Sequence, residues 1–457
     1  MASLAGLLRE KGHQVTGSDD GVYPPMSTLL DDLAIAYAPR FDPANLDPAP
    51  DVVVVGNAIS RGNEELEAVL DRRLRYTSAA ATIREEFLRG RHVLAVAGTH
   101  GKTTTASLLA WLLEAAGLNP AFLIGGVAEN FGVSFRLTGS EYFVIEADEY
   151  DTAYFDKGPK MWHYLPQTAV VTNVEFDHAD IYRDEVAYRF AFDRFVNLVP
   201  RTGTLVVGWD TQVAREVSAT SLAPVESFGL AGDESGDQAR WRAQRIRHSP
   251  EGTTFEVTHD RRPLGELSMT LTGAFNVRNA LAAVAAATAV GAGWNGIRVG
   301  LAGFRSVRRR MEVRAVVRGV TLIDDFAHHP TSVRETIAAA RQRFPGKRVI
   351  AVFEPRSYTA QRREAQEPFR AALMGADRVI VAGLTRPERY DEATGLDPTQ
   401  LVASIRTSGV DADHIPQVPD IVARLVADAE EGDVLLVMSN GGFGGIHELL
   451  LEGLAGD

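Results

Sequence analysis

The stretch that most constrains this chain is a short glycine loop, AGTHGKTTTASL, at residues 97–108. It follows the apolar run VLAVAG (93–98) and leads into TTTASLLAWLLEAAG, which has the composition of a helix. A strand, a glycine loop and a helix in this order turn backbone N–H groups toward an anion at the helix N-terminus. Lys102 adds a positive charge, and the hydroxyl of Thr103 is suited to Mg²⁺. The segment therefore predicts a nucleoside triphosphate-binding loop.

The loop is a shortened variant of the common pattern G-x-x-x-x-G-K-[ST]. Val96 stands at the first glycine position, and the extra glycine, Gly98, lies only three residues before Gly101. The alternative interpretation is a glycine-capped turn that carries an incidental lysine. The strand before the loop and the helix after it favour phosphate binding.

Composition excludes several classes of protein. The chain has 457 residues and a net charge of −13, which argues against nucleic acid and anionic membranes as partners because both require a positive footprint. It contains no cysteine, so disulfides, thiolate metal sites and thiol nucleophiles are ruled out. No apolar run approaches the roughly 20 residues of a membrane span. We expect a cytoplasmic α/β protein without a nucleic-acid or membrane partner.

Short β-branched runs alternate with Ala/Leu-rich stretches along most of the chain, which is typical of parallel sheets covered by helices on both faces. Breaks in this rhythm predict three α/β domains, at residues 1–89, 90–306 and 307–457, and residues 203–270 are richer in strand patterns. The predicted strands are VVVV (52–55), VLAVAG (93–98), YFVIEA (142–147), AVVTN (169–173), RVIAVF (348–353), RVIVAG (378–383) and VLLVMS (434–439).

The beginning of the chain lacks one expected element. MASLAGLLREKGHQVTGSDD predicts a helix, a glycine turn and a strand at HQVTG (13–17). In a dinucleotide-type fold a strand and a glycine-rich turn precede that first helix. We expect a first domain without its first strand, and the alternative is a domain with an unusual beginning.

Acidic residues follow one of the predicted strands. YFVIEADEYD (142–151) places Glu146 at the strand end, with Asp148, Glu149 and Asp151 behind it. An acid at a strand end beside a phosphate loop is the usual Mg²⁺ partner, because Mg²⁺ takes oxygen ligands. The alternative is a solvated acidic turn.

Further polar residues follow the next strands. His178 lies between Asp177 and Asp180 in TNVEFDHADIY (172–182), at a predicted strand-to-helix turn. From this stretch alone, a capping or satisfied histidine is a better interpretation than a metal ligand.

Asn276 and Asn279 are predicted on the first turn of an Ala-rich helix, where ordinary N-capping is the alternative to ligand binding. RRRME (308–312) and IDDFAHHP (323–330) follow. Arginine suits charge that develops on a transferring phosphoryl group, and Asp with His can contact a nucleotide, although a solvated basic linker is an equal alternative.

In this order, GTHGKTTT, EADEYD, TNVEFDH, the Asn pair, RRRME and DDFAHHP resemble the Mur ligase family over essentially the whole chain. The resemblance implies an ATP-dependent amide ligase of peptidoglycan metabolism with three α/β domains. These are a Rossmann-like N-terminal domain that lacks its first strand, a central P-loop ATPase domain and a C-terminal Rossmann-like domain.

Several segments are similar to one group within the family. EYDTAYFDKGPKMWHYLP, with an insertion before TNVEFDH, SDDGVYPPMSTLL, GGVAENFGVSFRL, EPRSYT and MSNGGFGGIHELL resemble the members that join UDP-N-acetylmuramate to a murein tripeptide. The tripeptide is L-Ala-γ-D-Glu-meso-diaminopimelate, and the third residue could instead be lysine. The alternative within the family is ligation of L-alanine to the same nucleotide.

The resemblance implies a role for individual residues, with Lys102, His178 and Arg310 as catalytic groups and Mg²⁺ at two sites. The implied ATP contacts are Gly98, Thr99, His100, Gly101, Lys102, Thr103, Thr104, Asn276, Asn279, Arg310, Asp325 and His328. The implied metal ligands are Thr103, Glu146 and His178. The implied substrate contacts are Ser18, Asp19, Asn130 and Ser357. Arg356 in EPRSYT is a candidate contact for the carboxylates of the peptide, with a surface arginine after a strand as an equal alternative.

Besides the missing first strand, the sequence departs from the family pattern at two further points. Phe275 stands where siblings often carry histidine before the Asn pair, which affects the expected adenine contacts. Some siblings place a carbamylated lysine after the TNxxxDH stretch, but this chain has no lysine between Lys160 and Lys347.

Two other functions compete with the ligase. A P-loop ATPase that drives movement would hydrolyse nucleotide without an acceptor amine and would normally carry the longer glycine loop. A shortened, inactive relative would still hold ATP. We expect a monomer or a weak homodimer.

Overall fold

The computed structural model describes residues 1–23, 26–233, 235–391 and 393–456. The chain packs into two compact units. The first comprises Met1–Glu175, Val186–Trp241 and Ala280–Gly300, and the second comprises Phe176–Glu185, Arg242–Asn279 and the chain from Leu301 onward. The three domain boundaries stay a prediction.

The N-terminal block is built from short parallel ladders. Its strands are β1 (Thr16–Ser18), β2 (Ala36–Ala38), β3 (Val53–Val55) and β4 (Tyr76–Ser78), and its helices are α1 (Ala2–Glu10), α2 (Met26–Asp32), α3 (Glu64–Asp71) and α4 (Ala79–Ile83). β1 pairs with β2 and β3 pairs with β4, so the described residues form two separate two-stranded sheets here. The predicted first helix is α1, and the strand predicted at residues 13–17 is β1, shifted toward Ser18.

Helix α1 lies against the block that follows it. Gly6 of α1 faces the ring of Phe135, and a Cβ at Gly6 would come 2.2 Å from that ring. The hydroxyls of Ser3 and Ser134 are 3.0 Å apart and hydrogen-bond each other. The absence of a side chain at Gly6 is therefore what allows the helix to approach this closely.

The chain continues with the sheet that carries the glycine loop. Its elements are β5 (His92–Ala97), α5 (Lys102–Ala115), β6 (Ala121–Ala128), β7 (Val133–Arg136), β8 (Tyr142–Glu146), β9 (Asp151–Ala153), β10 (Asp156–Pro159), β11 (Thr168–Val171), α6 (Glu185–Val196), β12 (Thr204–Gly208), α7 (Gln212–Ser218) and β13 (Val225–Leu230). In the first unit the strand order is β7-β6-β8-β5-β11-β12-β13. β6 and β7 are antiparallel, and the other pairs are parallel.

Strand β5 is central in this sheet, between β8 and β11. All of its residues except His92 are buried, as expected for a parallel strand covered on both faces. Val96 pairs with Glu146 and Ala97 pairs with Val171, so the three strands end at the same edge. The segments that follow them are therefore brought together.

A β-rich segment and two helices come next. They are β14 (Trp241–Ser249), β15 (Gly252–His259), β16 (Arg262–Met269), α8 (Ala274–Ala289) and α9 (Trp294–Ala302). β15 and β16 form an antiparallel hairpin. The strand-rich character predicted for residues 203–270 is confirmed.

The C-terminal block is a three-layer sandwich in the second unit. Its elements are β17 (Glu312–Val317), β18 (Val320–Asp325), α10 (Pro330–Arg343), β19 (Val349–Phe353), α11 (Gln366–Leu373), β20 (Arg378–Val381), α12 (Pro398–Thr407), β21 (Asp411–His414), α13 (Val418–Asp428), β22 (Val434–Met438) and α14 (Ile446–Ala455). The strand order is β17-β18-β22-β19-β20-β21, parallel except for β17 with β18. One core packs α10, α11 and α12 on the sheet, and a second packs α13 and α14 on the other face.

No helix in the described part of the chain combines the length and the apolar composition needed to cross a lipid bilayer.

We expect Leu436→Ala to destabilise the second unit by about 2–5 kcal/mol, because the side chain is fully buried in central strand β22 and its loss leaves a cavity. Urea unfolding measures the loss. Val316→Ala on edge strand β17, where the side chain is 63% exposed, is the control and should change stability by less than about 0.5 kcal/mol. Equal losses in both variants would contradict the core assignment.

Candidate functional site

The glycine loop depends on a close approach between two backbone segments. Gly98 has a φ of +136°, and a Cβ there would lie 2.0 Å from Oγ1 of Thr172. Gly101, with a φ of +80°, is the N-cap of α5. Both positions require glycine, the first for space as well as for backbone conformation.

The segment after β11 braces the loop. The hydroxyl of Thr172 donates to the carbonyl of His100 at 2.6 Å. The side-chain oxygen of Asn173 accepts from the N–H of His100 at 2.9 Å, and its carbonyl accepts from the N–H of Thr99 at 3.1 Å. Sequence reasoning missed both bracing residues as loop contacts, although the TN of TNVEFDH was the available signal.

Lys102 opens α5 with its ammonium surrounded by oxygens. Its Nζ donates to the carbonyl of Gly98 at 2.6 Å and to the Glu149 carboxylate at 2.9 and 3.1 Å. Burial alone would lower the pKa of Lys102, but the negative charge of Glu149 outweighs it, and the pKa lies above its usual value. Lys102 is therefore a fixed positive charge at the loop.

Thr103 and Glu146 meet beside this lysine. The hydroxyl of Thr103 donates to Oε1 of Glu146 at 3.0 Å, and the N–H of Gly125 donates to Oε2 at 2.7 Å. A Cβ at Gly125 would come 2.7 Å from the carboxylate, so glycine is what lets β6 approach it. A hydroxyl and a carboxylate side by side form an oxygen donor set that fits Mg²⁺.

The remaining acids of EADEYD have other partners. Asp148 pairs with Lys160 at 3.2 Å, and Asp151 pairs with Lys157 at 2.5 Å. Burial raises the pKa of the Asp148 carboxyl above its usual value. Glu149 is completely buried, whereas Asp148 and Asp151 are partly exposed and each pairs with a lysine, so a solvated acidic turn does not describe Glu149.

His178 lies in the second unit, in the connection between β11 and α6, with a φ of +56°. Its N–H donates to Oδ1 of Asp177 at 2.7 Å. Burial would raise the pKa of Asp177, but the charges of His178 and His328 and a hydrogen bond from Thr359 hold it far below its usual value. The structure thus brings His178 and His328 to one carboxylate.

Arg310 and His328 share an aromatic neighbour. The guanidinium of Arg310 lies 5.0 Å from the ring centroid of Phe326, and the ring of His328 meets it edge-on at 5.6 Å. Arg309 lies over the same ring, at 5.2 Å, and also donates to the carbonyls of Ser439 and Gly441 at 2.8 and 2.7 Å. Phe326 was not singled out from the sequence, although it stands in the middle of IDDFAHHP.

Asp325 uses its carboxylate to hold neighbouring backbone. It accepts from the N–H groups of Met311 and Ala327, both at 2.8 Å, and from the hydroxyl of Thr336 at 3.3 Å. Burial raises the pKa of this carboxyl. The contacts of Asp325 in the structure therefore fix the turn that presents Phe326 and His328.

The Asn pair corrects a detail of the sequence prediction. Asn276 is the third residue of α8, and Asn279 is the sixth, so only Asn276 lies on the first turn. Asn276 donates to the carbonyl of Thr272 at 2.8 Å, and Asn279 donates to Oδ1 of Asn276 at 3.3 Å. Both are buried inside the helix, beyond the N-cap position, so the capping interpretation is wrong.

The predicted peptide contacts lie after β19. Arg356 is 42% exposed and lies 3.9 Å from Glu354, with its guanidinium against Gly441, where a Cβ would collide with it at 2.3 Å. The hydroxyl of Ser357 accepts from the N–H of Ala360 at 3.2 Å. Arg356 is thus presented beside the glycine loop that follows β22.

The other predicted substrate contacts are in the first unit. Ser18 donates to Glu65 at 2.7 Å, and Asp19 accepts from the N–H of Gly21 at 2.9 Å. Asn130 lies in the turn between β6 and β7. Thr104, the remaining predicted loop contact, is buried in the first turn of α5.

The predicted site residues thus fall into two groups, and their roles stay predictions. The first unit holds Ser18, Asp19, Gly98, Thr99, His100, Gly101, Lys102, Thr103, Thr104, Asn130 and Glu146. The second unit holds His178, Asn276, Asn279, Arg310, Asp325, His328, Arg356 and Ser357.

Three family models match successive parts of the chain. The Mur ligase family catalytic domain matches residues 1–89, the Mur ligase middle domain matches 96–287 and the Mur ligase glutamate ligase domain matches 309–441. The chain belongs to the Mur ligase family and has its three-domain α/β architecture.

The similar proteins carry the names of two different ligases. The chain is 43% identical to the UDP-N-acetylmuramate–L-alanyl-γ-D-glutamyl-meso-2,6-diaminoheptandioate ligase of Escherichia coli K12, covering 100% of this chain and 96% of the relative. It is 31% identical to the UDP-N-acetylmuramate–L-alanine ligase of Desulforapulum autotrophicum, with 100% and 96% covered. The crystal structure of a murein peptide ligase from Psychrobacter arcticus 273-4 is 35% identical, with a TM-score of 0.74 over 100% of this chain and 97% of the other.

We expect Gly98→Ala to weaken ATP binding more than about tenfold and to destabilise the first unit by about 1–3 kcal/mol, because the new Cβ collides with Thr172. Calorimetric titration and thermal unfolding measure the two effects. Gly117→Ala, also at positive φ (+80°) but with open space around the Cβ, is the control and should leave ATP binding unchanged. Unchanged ATP affinity in Gly98→Ala would contradict the bracing contact.

Proposed function

We propose that this chain is an ATP-dependent amide ligase that joins UDP-N-acetylmuramate to the tripeptide L-Ala-γ-D-Glu-meso-diaminopimelate in peptidoglycan recycling. The observation that supports it most directly is the meeting of Lys102, Thr103 and Glu146 at the edge where β5 and β8 end. The greater identity to the tripeptide ligases than to the L-alanine ligases favours the tripeptide as acceptor.

The chemistry begins with repulsion between two anions. The carboxylate oxygen of UDP-N-acetylmuramate attacks the γ-phosphorus of ATP, the bond to the β,γ-bridging oxygen breaks, and ADP leaves with an acyl phosphate remaining. Lys102, the loop N–H groups and Arg310 are the positive groups that we propose to offset this repulsion, since electrostatic stabilisation is the main contribution to phosphoryl transfer.

Mg²⁺ would be held by Thr103 and Glu146, with His178 at a second site, and would neutralise charge on the phosphate oxygens. Both members of the first pair supply oxygen, which is the ligand that Mg²⁺ prefers. The Asn pair of α8, Asp325 and His328 are proposed to contact the nucleoside.

In the second step the amine of the tripeptide attacks the acyl carbonyl carbon. The carbon–nitrogen bond forms, inorganic phosphate leaves, and the nitrogen loses its proton. We propose that Arg356 contacts a carboxylate of the peptide, because a guanidinium can grip a carboxylate with two hydrogen bonds and its side chain is partly exposed. Ser18, Asp19 and Asn130 are proposed to face the UDP-sugar.

The experiment is phosphate release from ATP with Mg²⁺, with and without UDP-N-acetylmuramate and the tripeptide. Release that requires both acceptors, together with the mass of UDP-muramyl-tripeptide, would support the proposal. Equal release with L-alanine in place of the tripeptide would favour the sibling activity. Release without either acceptor would indicate a plain ATPase, and bound ATP without release would indicate an inactive relative.

We expect Lys102→Met to lower kcat/KM by at least about 100-fold, because it removes a positive charge proposed to contact the β- and γ-phosphates. The ligation assay measures the loss. Lys157→Met is the matched control, since that lysine is 67% exposed and pairs with Asp151 at the hairpin β9–β10, and it should keep near-normal activity. Similar losses in both variants would argue against a specific role for Lys102.

We expect Glu146→Gln to raise the Mg²⁺ concentration for half-maximal activity by about tenfold, because an amide is a weaker ligand than a carboxylate. A Mg²⁺ titration of the ligation rate measures the shift. Asp151→Asn, in the same acidic stretch but paired with Lys157, is the control. An unchanged Mg²⁺ dependence in Glu146→Gln would remove this residue from the metal site.

A further inference from the structure

The loop lysine has a partner to which neither the sequence nor the family resemblance assigned a role. Four oxygens surround Nζ of Lys102: the carbonyls of Gly98 and Thr99, at 2.6 and 3.3 Å, and both carboxylate oxygens of Glu149, at 3.1 and 2.9 Å. The side chain of Glu149 has no solvent exposure, and that of Lys102 is 12% exposed. The ammonium is therefore directed inward, onto the loop's own carbonyls and a buried acid.

A buried ion pair of this kind is not explained by stability. Removing both charges from water costs several kcal/mol per ion, and the attraction between them roughly repays that cost. An apolar pair of similar volume would serve the fold as well. The buried carboxylate of Glu149, next to a phosphate loop, therefore indicates a role in positioning the ammonium of Lys102.

Glu149 is itself held in place. The hydroxyl of Tyr188 donates to Oε1 of Glu149 at 3.2 Å and lies 2.9 Å from the hydroxyl of Thr99. The Thr99 hydroxyl donates to the carbonyl of Glu175 at 2.8 Å. The acid is thereby tied to the glycine loop on one side and to α6 on the other, so it cannot follow the lysine toward a ligand without breaking this chain of contacts.

We propose that Glu149 is a positioning residue, which retains Lys102 on the nucleotide-free loop and competes with the triphosphate of ATP for the lysine ammonium. This inference rests on the proposed function, because it assigns to Lys102 the phosphates of ATP. The two states differ in the partner of one ammonium. Without nucleotide, the Lys102 ammonium contacts the Glu149 carboxylate. With nucleotide, the β- and γ-phosphates share the ammonium with this carboxylate or replace the carboxylate as its partner.

Two physical consequences follow. Glu149 supplies the counter-charge of the buried ammonium, through contacts of 3.1 and 2.9 Å to its two carboxylate oxygens. Glu149 also lowers the affinity for ATP, because ATP must weaken an existing charge-assisted contact before its phosphates can bind the lysine. A purely structural role would predict the first consequence without the second.

The test is Glu149→Gln, which keeps the shape of the side chain and removes its charge. We expect the Kd of MgATP, measured by calorimetric titration, to fall about five- to tenfold, because the competitor for Lys102 is weakened. We also expect the nucleotide-free protein to melt at a lower temperature, because the buried ammonium has lost its counter-charge. The rise in melting temperature on adding MgATP should be larger than in the parent protein.

A double-mutant cycle shows whether the effect passes through the lysine. In a Lys102→Met background, Glu149→Gln should change the Kd of MgATP by less than about twofold, since there is no ammonium to compete for. Glu114→Gln is the control for net charge, because Glu114 pairs with Arg136 at 2.6 Å in the same unit, and it should leave the Kd unchanged.

Three results would overturn the proposal. The first is an unchanged or weaker affinity of Glu149→Gln for MgATP. The second is an equal gain in MgATP affinity when Glu149→Gln is made in the Lys102→Met background, and the third is an equal gain in MgATP affinity in Glu114→Gln. Where Glu149→Gln does not fold, Glu149→Asp is the substitute, because it keeps the charge but lengthens the distance to the lysine. It should give a smaller gain in MgATP affinity, and an unchanged affinity overturns the proposal. Because these readouts are binding constants, failure of ligation in the parent protein would reject the proposed function and leave this test valid.

Discussion

The contact on which the site depends is the approach of Gly98 to Thr172, at the edge where β5 and β11 end. Two neighbouring parallel strands finish at the same level, and the residues that follow them must cross at a distance that excludes a side chain. Because Gly98 has no side chain, Thr172 and Asn173 come close enough to hydrogen-bond the loop. Helix α5 can then begin at Lys102 with its N–H groups directed outward. This crossing places Lys102 and Thr103 at the start of α5, and Glu146 meets Thr103 from the end of β8.

Much of this arrangement could be predicted from the sequence. The apolar runs that became β5, β8 and β11 were recognisable because central parallel strands are buried on both faces, and Glu146 was predicted at the end of β8, where the structure places it. The helix behind the loop was recognisable from its composition. Strand ends differed by one or two residues, since a ladder ends where its partner ends and the partner is not visible in a local pattern.

The residues that could not be predicted are those defined by partners far away in the chain. Glu149 reads as one acid among several, and only the fold shows that it alone meets Lys102, whereas Asp148 and Asp151 meet other lysines. Likewise, Arg309 and Arg310 are adjacent and chemically identical, and both lie over Phe326, but the structure shows that Arg309 also donates to the carbonyls after β22. The Asn pair was open to an N-capping interpretation, although helix α8 begins at Ala274, two residues before Asn276 and directly after Gly273, whose φ is +98°.

The N-terminal block has a consequence for how the protein folds. Each of its two ladders is only three residues long per strand, and such ribbons do not persist alone in water. Its first helix packs with Leu30 and Ile35 of the same block and is also held by Phe135 and Ser134, on a strand that follows the glycine loop. The family model that matches the first part of the chain ends at residue 89, but the contacts of α1 cross this position. This block behaves as a dependent part of a larger folding unit, whose order is supplied by the sheet that holds the phosphate loop.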